Sequence, residues 1–396
     1  MNIWDQILPV NMPVVLWGGG EFGRKWINFL KSIGRKILFI IDVKANSIGS
    51  IGEIIVKLPE KCTRDDVVLI VTPHFHSEEI CAEAERLGYK RILNGNDLLW
   101  LRLLPENNRI SWTFPPYGHY YSLYPDFKLL ETGYDGIKNM SESSLEGDSI
   151  DINEKKQCET LKKMNALYDS MPDWPDISSK EKSVYRYKKG NSAIGMSDGF
   201  VLHSMLRILH PKHFIEIGSG YSSMVTLDTN EFFLDNAMEV FFIEPYPDLF
   251  LSMLKDTDDY KRSLKASRLQ DVPLEFFDLL GSGDILYVDS THVSKIGSDV
   301  NYIFFHILPR LKANVYVHFH DIFYPWQYPK AWFYSGNIWN EMYILRAFLQ
   351  YNTRWEVVFY NHYMSIKHPE LYHEKWRQEK DLGGGAFWMR KVCCDK

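Results

Sequence analysis

Short apolar runs recur along the chain, each closing on glycine or a carboxylate and each leading into a stretch with apolar residues at helical spacing. Val14-Val15-Leu16-Trp17 stops at Gly18-Gly19-Gly20-Glu21-Phe22-Gly23, and a helical pattern then runs through Phe29 and Leu30. Ile37 to Ile41 ends in Asp42, and Val67 to Val71 repeats the strand pattern. A helix is expected from Ser77 to Leu87, before a short strand at Arg91 to Leu93. Alternation of buried strand and amphipathic helix predicts a parallel α/β sheet, because each crossover must cover a sheet face with a helix.

The first such unit, residues 12–105, reads as a small Rossmann-like domain. Gly18, Gly20 and Gly23 have G-x-G-x-x-G spacing, which lets backbone N–H groups approach a phosphate at a helix start, with Asp42 placed to take ribose hydroxyls. The same glycines equally serve a tight turn and close packing of helix on sheet. His74 and His76 lack nearby companion ligands and read as surface-loop residues.

Residues 106–183 read as a bridge or substrate cap. Pro105, Asn107, Asn108, Pro115, Pro116 and Gly118 break the periodicity, and His119-Tyr120-Tyr121 follows as an aromatic cluster suited to covering a pocket or packing between domains. Ser141 to Asp148 is expected to form a mobile surface loop. Asp151 and Glu154 have capping-box spacing, so a helix is expected after Asp151, with Cys158, Leu161, Met164 and Tyr168 on its buried face.

The alternation resumes in residues 184–396. His213 to Ile217 reads as a strand running into Gly218-Ser219-Gly220, where absent side chains let a ligand approach backbone donors at a helix start. Val240 to Ile243 ends at Glu244, whose carboxylate can accept from both hydroxyls of a ribose. Asp271 sits in a polar turn, available to an adenine amino group or to a helix cap. Gly283 to Asp289 and Asn314 to His318 supply the fourth and fifth strands, and Trp355 to Phe359 and Phe387 to Val392 complete the sheet. A helical pattern occupies Trp339 to Gln350. Ile322 to Pro329 is too aromatic for an ordinary solvent loop and suits either a sugar-stacking wall or a structural lid.

Composition narrows the function classes. The 396 residues are 45% hydrophobic and 15% aromatic, which supports two packed domains. A formal charge of -6 without a long basic run gives no general attraction for nucleic acid. Cys62, Cys81, Cys158, Cys393 and Cys394 form an odd set that suits a reducing cytoplasm better than a disulfide framework. The opening residues lack a basic segment followed by an apolar one, and no apolar run is long enough to span a bilayer.

On Ile215-Glu216-Ile217-Gly218-Ser219-Gly220, Phe242-Ile243-Glu244-Pro245 and Ile285-Leu286-Tyr287-Val288-Asp289, residues 184–396 resemble class I S-adenosylmethionine (SAM)-dependent methyltransferases. The fold expected from pattern and resemblance together is α/β. It has two Rossmann-like domains, the second a seven-stranded methyltransferase-type sheet, joined by a partly helical bridge. Asp289-Ser290-Thr291-His292 and His320-Asp321 look like the catalytic turns of the metal-dependent O-methyltransferase branch that includes sugar-modifying enzymes acting on macrolides. The resemblance implies that Asp289 and Asp321 hold a divalent ion, Mg2+ being favoured, that His292 is the general base, and that Glu216, Gly218, Gly220, Glu244 and Asp271 meet SAM. His320 stands where members of that branch commonly carry an acid, and it is the candidate third ligand.

Residue chemistry is compatible with that implication. Carboxylates attract a hard cation, and neutral imidazole accepts a proton near neutral pH, although either histidine also serves as a hydrogen-bonding member of its turn. The acceptor implied is a hydroxyl of a small molecule, a carbohydrate or glycosylated metabolite by resemblance to the branch and a catechol-like diol by the same paired-oxygen chemistry. A noncatalytic ligand-binding or scaffold protein and a nicotinamide-dependent oxidoreductase are the alternatives. The sequence admits a homo-oligomer.

Overall fold

The computed structural model describes residues 4, 7–62, 66–73, 77–95, 123, 125, 127–143, 150–179, 182–377 and 382–392. His74, His76, His119 to Tyr121, Glu146 to Asp148, Cys393 and Cys394 lie outside the described residues. The chain divides into two compact units, residues 1–114 and 115–396.

In the first unit, β1 (Val14–Trp17), β2 (Ile37–Ile41), β3 (Ser50–Ile51), β4 (Ile54–Lys57), β5 (Val68–Val71) and β6 (Ile92–Asn94) form a sheet in the order β3-β4-β2-β1-β5-β6. Its pairs are parallel except β3 with β4. The β3–β4 pair was not anticipated from the sequence pattern; its glycine-punctuated strands are too short to show an alternation. Helix α1 (Glu21–Ser32) follows the glycine turn, and α2 (Ser77–Arg86) precedes β6. A Cβ on Gly23 would lie 2.0 Å from the Gly18 carbonyl oxygen, so that glycine lets the helix sit against its own turn. Asp42 accepts from Gly19 N–H and Lys44 N–H, each at 2.8 Å, and so ties its loop to the glycine turn. The packing role of these residues is thus directly visible.

The second unit is built on β7 (His213–Ile217), β8 (Glu239–Ile243), β9 (Leu264–Lys265), β10 (Ile285–Val288), β11 (Tyr316–Phe319), β12 (Trp355–Tyr360) and β13 (Phe387–Lys391), in the order β12-β13-β11-β10-β7-β8-β9. Pairs from β11 through β9 are parallel, whereas β13 runs antiparallel between β11 and β12. Both faces of the central strands are covered: Phe214, Ile215, Leu286, Tyr287, Val288, Val317 and Phe319 are buried, as a parallel sheet requires.

Helix α3 (Phe127–Ser143) takes in Ser141 to Ser143, which the sequence pattern assigned to a mobile loop. Helix α4 (Glu154–Asn165) starts at Asn153 rather than at a capping box. The Asp151 carboxylate instead accepts from Asn153 N–H at 2.8 Å, a local turn that competes with the cap. Leu161 and Met164 of α4 are wholly buried in the same core as the second sheet, and Tyr168 joins them from the turn beyond the helix. Helix α5 (Met196–Leu209) went unread in sequence because it is buried nearly all round and lacks a polar stripe. Helices α6 (Tyr221–Phe233) and α7 (Glu341–Leu349) bring the remaining groups of the site.

The aromatic loop after β11 is core. Ile322, Trp326 and Tyr328 are fully buried, Tyr324 nearly so, and Trp326 packs on Tyr360 and Phe387. These three rings pack into the core, while Phe323 of the same loop is half-buried against Trp332 and His362. No helix among the described residues is long and apolar enough to cross a membrane.

Candidate functional site

The candidate residues collect at the C-terminal ends of β7, β8, β10 and β11, the edge where an open parallel sheet leaves room for a ligand. After β7 the chain turns at Gly218, whose φ is 83°. A Cβ there would stand 1.7 Å from the carbonyl oxygen of Asp289. The adjacent register of β7 and β10, which pairs Ile217 with Val288, causes this closeness. Asp289 N–H also donates to the Ile217 carbonyl at 2.9 Å, so the glycine turn and the Asp289 turn form one backbone assembly. A Cβ on Gly220 would meet nothing nearer than Leu249 at 4.0 Å, which leaves open space over the start of α6.

Glu244, half-buried after β8, accepts from Ser219 N–H at 3.1 Å and from Tyr246 N–H at 2.8 Å. One bond on each oxygen leaves lone pairs for a ligand. Glu216 is wholly buried on β7; one oxygen accepts from the Ser222 hydroxyl and the other has no partner among the described residues. Burial pushes its carboxyl up to about 8 against the pull of the Ser222 and Ser223 hydroxyls. Asp271 stands apart from this arrangement. It is exposed and paired with Arg268 by two bonds of 2.9 Å.

The ends of β10 and β11 carry the charged cluster. Asp289, His292 and Asp321 each present a donor atom within 4.8 Å of the others. His292 Nε2 lies 3.3 Å from Asp289 Oδ1 and 3.5 Å from Asp321 Oδ2. Its Nδ1 is 2.8 Å from Oε2 of Glu341, a fully buried carboxylate in the first turn of α7. The backbone reinforces this pairing, since Asn340 N–H and Glu341 N–H both donate to the His292 carbonyl. His292 and Asp321 have φ of 58° and 60°, left-handed values that non-glycine residues adopt at a cost on the order of 1 kcal/mol.

His320 is buried beside this trio. Its Nδ1 is 3.3 Å from Asp321 Oδ1 and 3.7 Å from Asp289 Oδ1, and its Nε2 is 3.3 Å from Oδ2 of Asp198. Burial disfavours charge on both imidazoles, yet the carboxylates prevail. Asp289 and Glu341 hold His292 up at about 10, and Asp321 with Asp289 holds His320 well above its ordinary value. Despite burial, His320 and His292 together hold Asp289 down at about 2.

Asp198 and Glu341 were missed in the sequence. Asp198 lies in α5, for which no pattern was read, and Glu341 opens a helix 49 residues beyond its histidine. A charged residue on a wholly buried helix face is the signal that would have found Asp198, had α5 itself been recognised.

Residues 215–322 match the family described as a methyltransferase domain. The second unit carries a methyltransferase domain. A protein of Archaeoglobus fulgidus, described as uncharacterized, is 30% identical over 175 residues, which cover 44% of this chain and 76% of that one. This methyltransferase-domain chain belongs to the same family as that archaeal protein. Among solved structures, an SAH-bound methyltransferase of Podospora anserina is similar at 16% identity and a TM-score of 0.32, covering 66% of this chain and 97% of that one. The O-methyltransferase TomG of Streptomyces achromogenes, solved with SAM, is similar at 14% identity and a TM-score of 0.32, covering 65% and 96%.

Proposed function

We propose that residues 184–396 transfer the methyl group of SAM to a hydroxyl oxygen of a small molecule, a carbohydrate or glycosylated metabolite, with a divalent ion held by Asp289, Asp321 and His320. One observation carries the reading. The turn that would hold SAM and the turn that bears Asp289 and His292 are in backbone contact at Gly218, so cofactor and acid–base group would lie side by side.

The residues suit both ligands. Open space over Gly220, the free lone pairs of Glu244 and the unpartnered buried oxygen of Glu216 match the amino-acid and ribose parts of SAM. Asp271 would reach an adenine amino group only by sharing its carboxylate with Arg268. Two carboxylates and an imidazole nitrogen converging at the strand ends suit a divalent cation. When bound, that ion orients the acceptor and makes its hydroxyl easier to deprotonate.

His292 would supply the proton acceptor once a divalent ion on Asp289 and Asp321 offsets the carboxylate charge that otherwise holds its imidazole up at about 10 and protonated. Glu341 holds Nδ1, so Nε2 is the nitrogen left facing the Asp289–Asp321 pair. Nε2 would take the acceptor's hydroxyl proton, and bound SAM would supply the sulfonium methyl group to that oxygen, with S-adenosylhomocysteine as the leaving product. Alignment of oxygen, carbon and sulfur is the main contribution of the surrounding turns.

Glu244→Ala is expected to weaken SAM binding by roughly 10- to 100-fold in calorimetry, the loss of hydrogen bonds to a charged acceptor. Glu244→Gln, which retains one acceptor, should lie between it and the wild type. Absence of SAM binding in the wild type overturns the proposed function. Asp289→Asn and Asp321→Asn should each weaken divalent-ion binding by at least about 100-fold in titrations followed by elemental analysis, since losing a ligand costs more than losing an outer partner. Near-wild-type ion binding in both variants removes the ion from the mechanism.

A further inference from the structure

His320 sets its Nδ1 3.3 Å from Asp321 Oδ1 and 3.7 Å from Asp289 Oδ1, and its surroundings fix which nitrogen it can offer. Asp198 Oδ2 is 3.3 Å from Nε2, so Nδ1 is the ring atom turned toward Asp321 and Asp289. Asp198 is itself immobilised: it accepts from Gly385 N–H at 2.8 Å, Ala386 N–H at 3.0 Å and Asn361 Nδ2 at 3.0 Å. Two glycines leave room for this arrangement. A Cβ on Gly384 would lie 2.2 Å from Asp198 Oδ2, and one on Gly385 would lie 2.7 Å from the Asp321 Cα. The imidazole is therefore oriented by a buried carboxylate behind it, the outer-shell arrangement by which proteins set the ring angle and raise the basicity of a metal-binding histidine.

We infer that Asp198 locks His320 as a nitrogen ligand, through Nδ1, and that this makes the Asp289–Asp321–His320 centre select a nitrogen-accepting transition ion such as Mn2+, Co2+ or Zn2+ over Mg2+. The inference rests on the proposed ion-assisted function and deepens it. Mg2+ keeps oxygen ligands and gives up water reluctantly, whereas imidazole suits the later first-row ions. His292, whose Nε2 also converges with Asp289 and Asp321 within 4.8 Å, is the competing nitrogen ligand; its Nε2 is assigned to the acceptor proton instead.

The test uses the full chain, stripped of metal by chelation and reloaded with single ions. Pulsed electron paramagnetic resonance of the Mn2+-loaded protein should show coupling to a histidine nitrogen. That coupling should vanish in His320→Ala and persist in His292→Ala. Competition dialysis of Co2+ against Mg2+ should give a preference of at least about 100-fold in the wild type, falling about 10-fold or more in His320→Glu, which restores an all-oxygen set. Asp198→Asn, which sets an amide donor against the Gly385 or Ala386 N–H and so loosens the support behind the ring, should bind Co2+ about 10- to 100-fold less tightly, with thermal stability measured beside affinity to separate unfolding from loss of the ligand.

Absence of nitrogen coupling in the wild type, coupling that follows His292 instead of His320, or a Co2+-to-Mg2+ ratio unmoved by His320→Glu overturns the inference. None of these measurements reads methyl transfer. A protein that binds no SAM yet shows the His320 coupling would sink the proposed function alone. A protein that transfers methyl groups without that coupling would sink this inference alone.

Discussion

On the proposed function, His292→Ala is expected to lower the single-turnover rate of methyl transfer by about 10²- to 10⁴-fold, the range for loss of a positioned general base, while SAM affinity should stay within a few-fold of the wild type. The separation follows from geometry. His292 faces Asp289, Asp321 and Glu341 through its side chain, whereas the groups suited to SAM are Glu216, Glu244 and the glycine turn. The substitution strands Glu341 as a buried carboxylate without its imidazole, so stability must be measured beside rate. The double variant His292→Ala, Glu341→Leu removes both charges and should recover stability without recovering rate. Stability and rate rising together would assign His292 to the framework of its turn. A transfer rate unchanged in a folded His292→Ala protein would remove it from the reaction.

Gly218→Ala should destabilise the second unit by about 2–5 kcal/mol, combining a left-handed backbone cost of roughly 1–2 kcal/mol with roughly 1–3 kcal/mol for displaced neighbours. The added methyl has nowhere to go, because its position is 1.7 Å from a backbone oxygen rather than from a movable side-chain tip. Relief requires the Asp289 turn to move away from β7, and that movement would carry Asp289 and His292 out of register with Asp321. The same substitution should therefore lower both SAM and ion affinity, an outcome that a purely local cofactor-loop role would not produce. Urea denaturation followed by tryptophan fluorescence, with calorimetry for each ligand, measures all three effects. Wild-type stability together with wild-type ion affinity would show that the two turns are not mechanically joined. Gly220→Ala is the natural control: its Cβ would meet ordinary contacts, so SAM affinity should change more than stability.

Strands buried on both faces were the most legible elements of the sequence. Val14–Trp17 and Ile285–Val288 are continuous apolar runs closed by a turn residue, His213–Ile217 is a largely apolar one interrupted by Glu216, and each stands in its sheet within one or two residues of the expected limits. Their order along the chain also announced the ends at which Gly218, Glu244, Asp289 and Asp321 gather, because crossover helices force successive parallel strands to point the same way. Helix α5 and the start of α4 were misread for opposite reasons. The first is buried nearly all round and has no amphipathic period, and the second is preceded by an Asp151 turn that takes the hydrogen bond a capping box would use.

What the sequence by itself determined was the alternation of strand and helix in two units, the glycine turns, and the appearance of carboxylates and histidines after β10 and β11. These are local consequences of burial and backbone freedom. Tertiary structure decided which groups stand behind the histidines. Glu341 reaches His292 across 49 positions and Asp198 reaches His320 across 122, distances along the chain that no period or spacing can encode. It also decided that the rings of Tyr324, Trp326 and Tyr328 fill a core, since an aromatic side chain loses its exposure only when other elements pack over it. The contact between the Gly218 turn and the Asp289 carbonyl has the same origin: β7 and β10 are separated by two strands in sequence and become neighbours only through the strand order of the sheet.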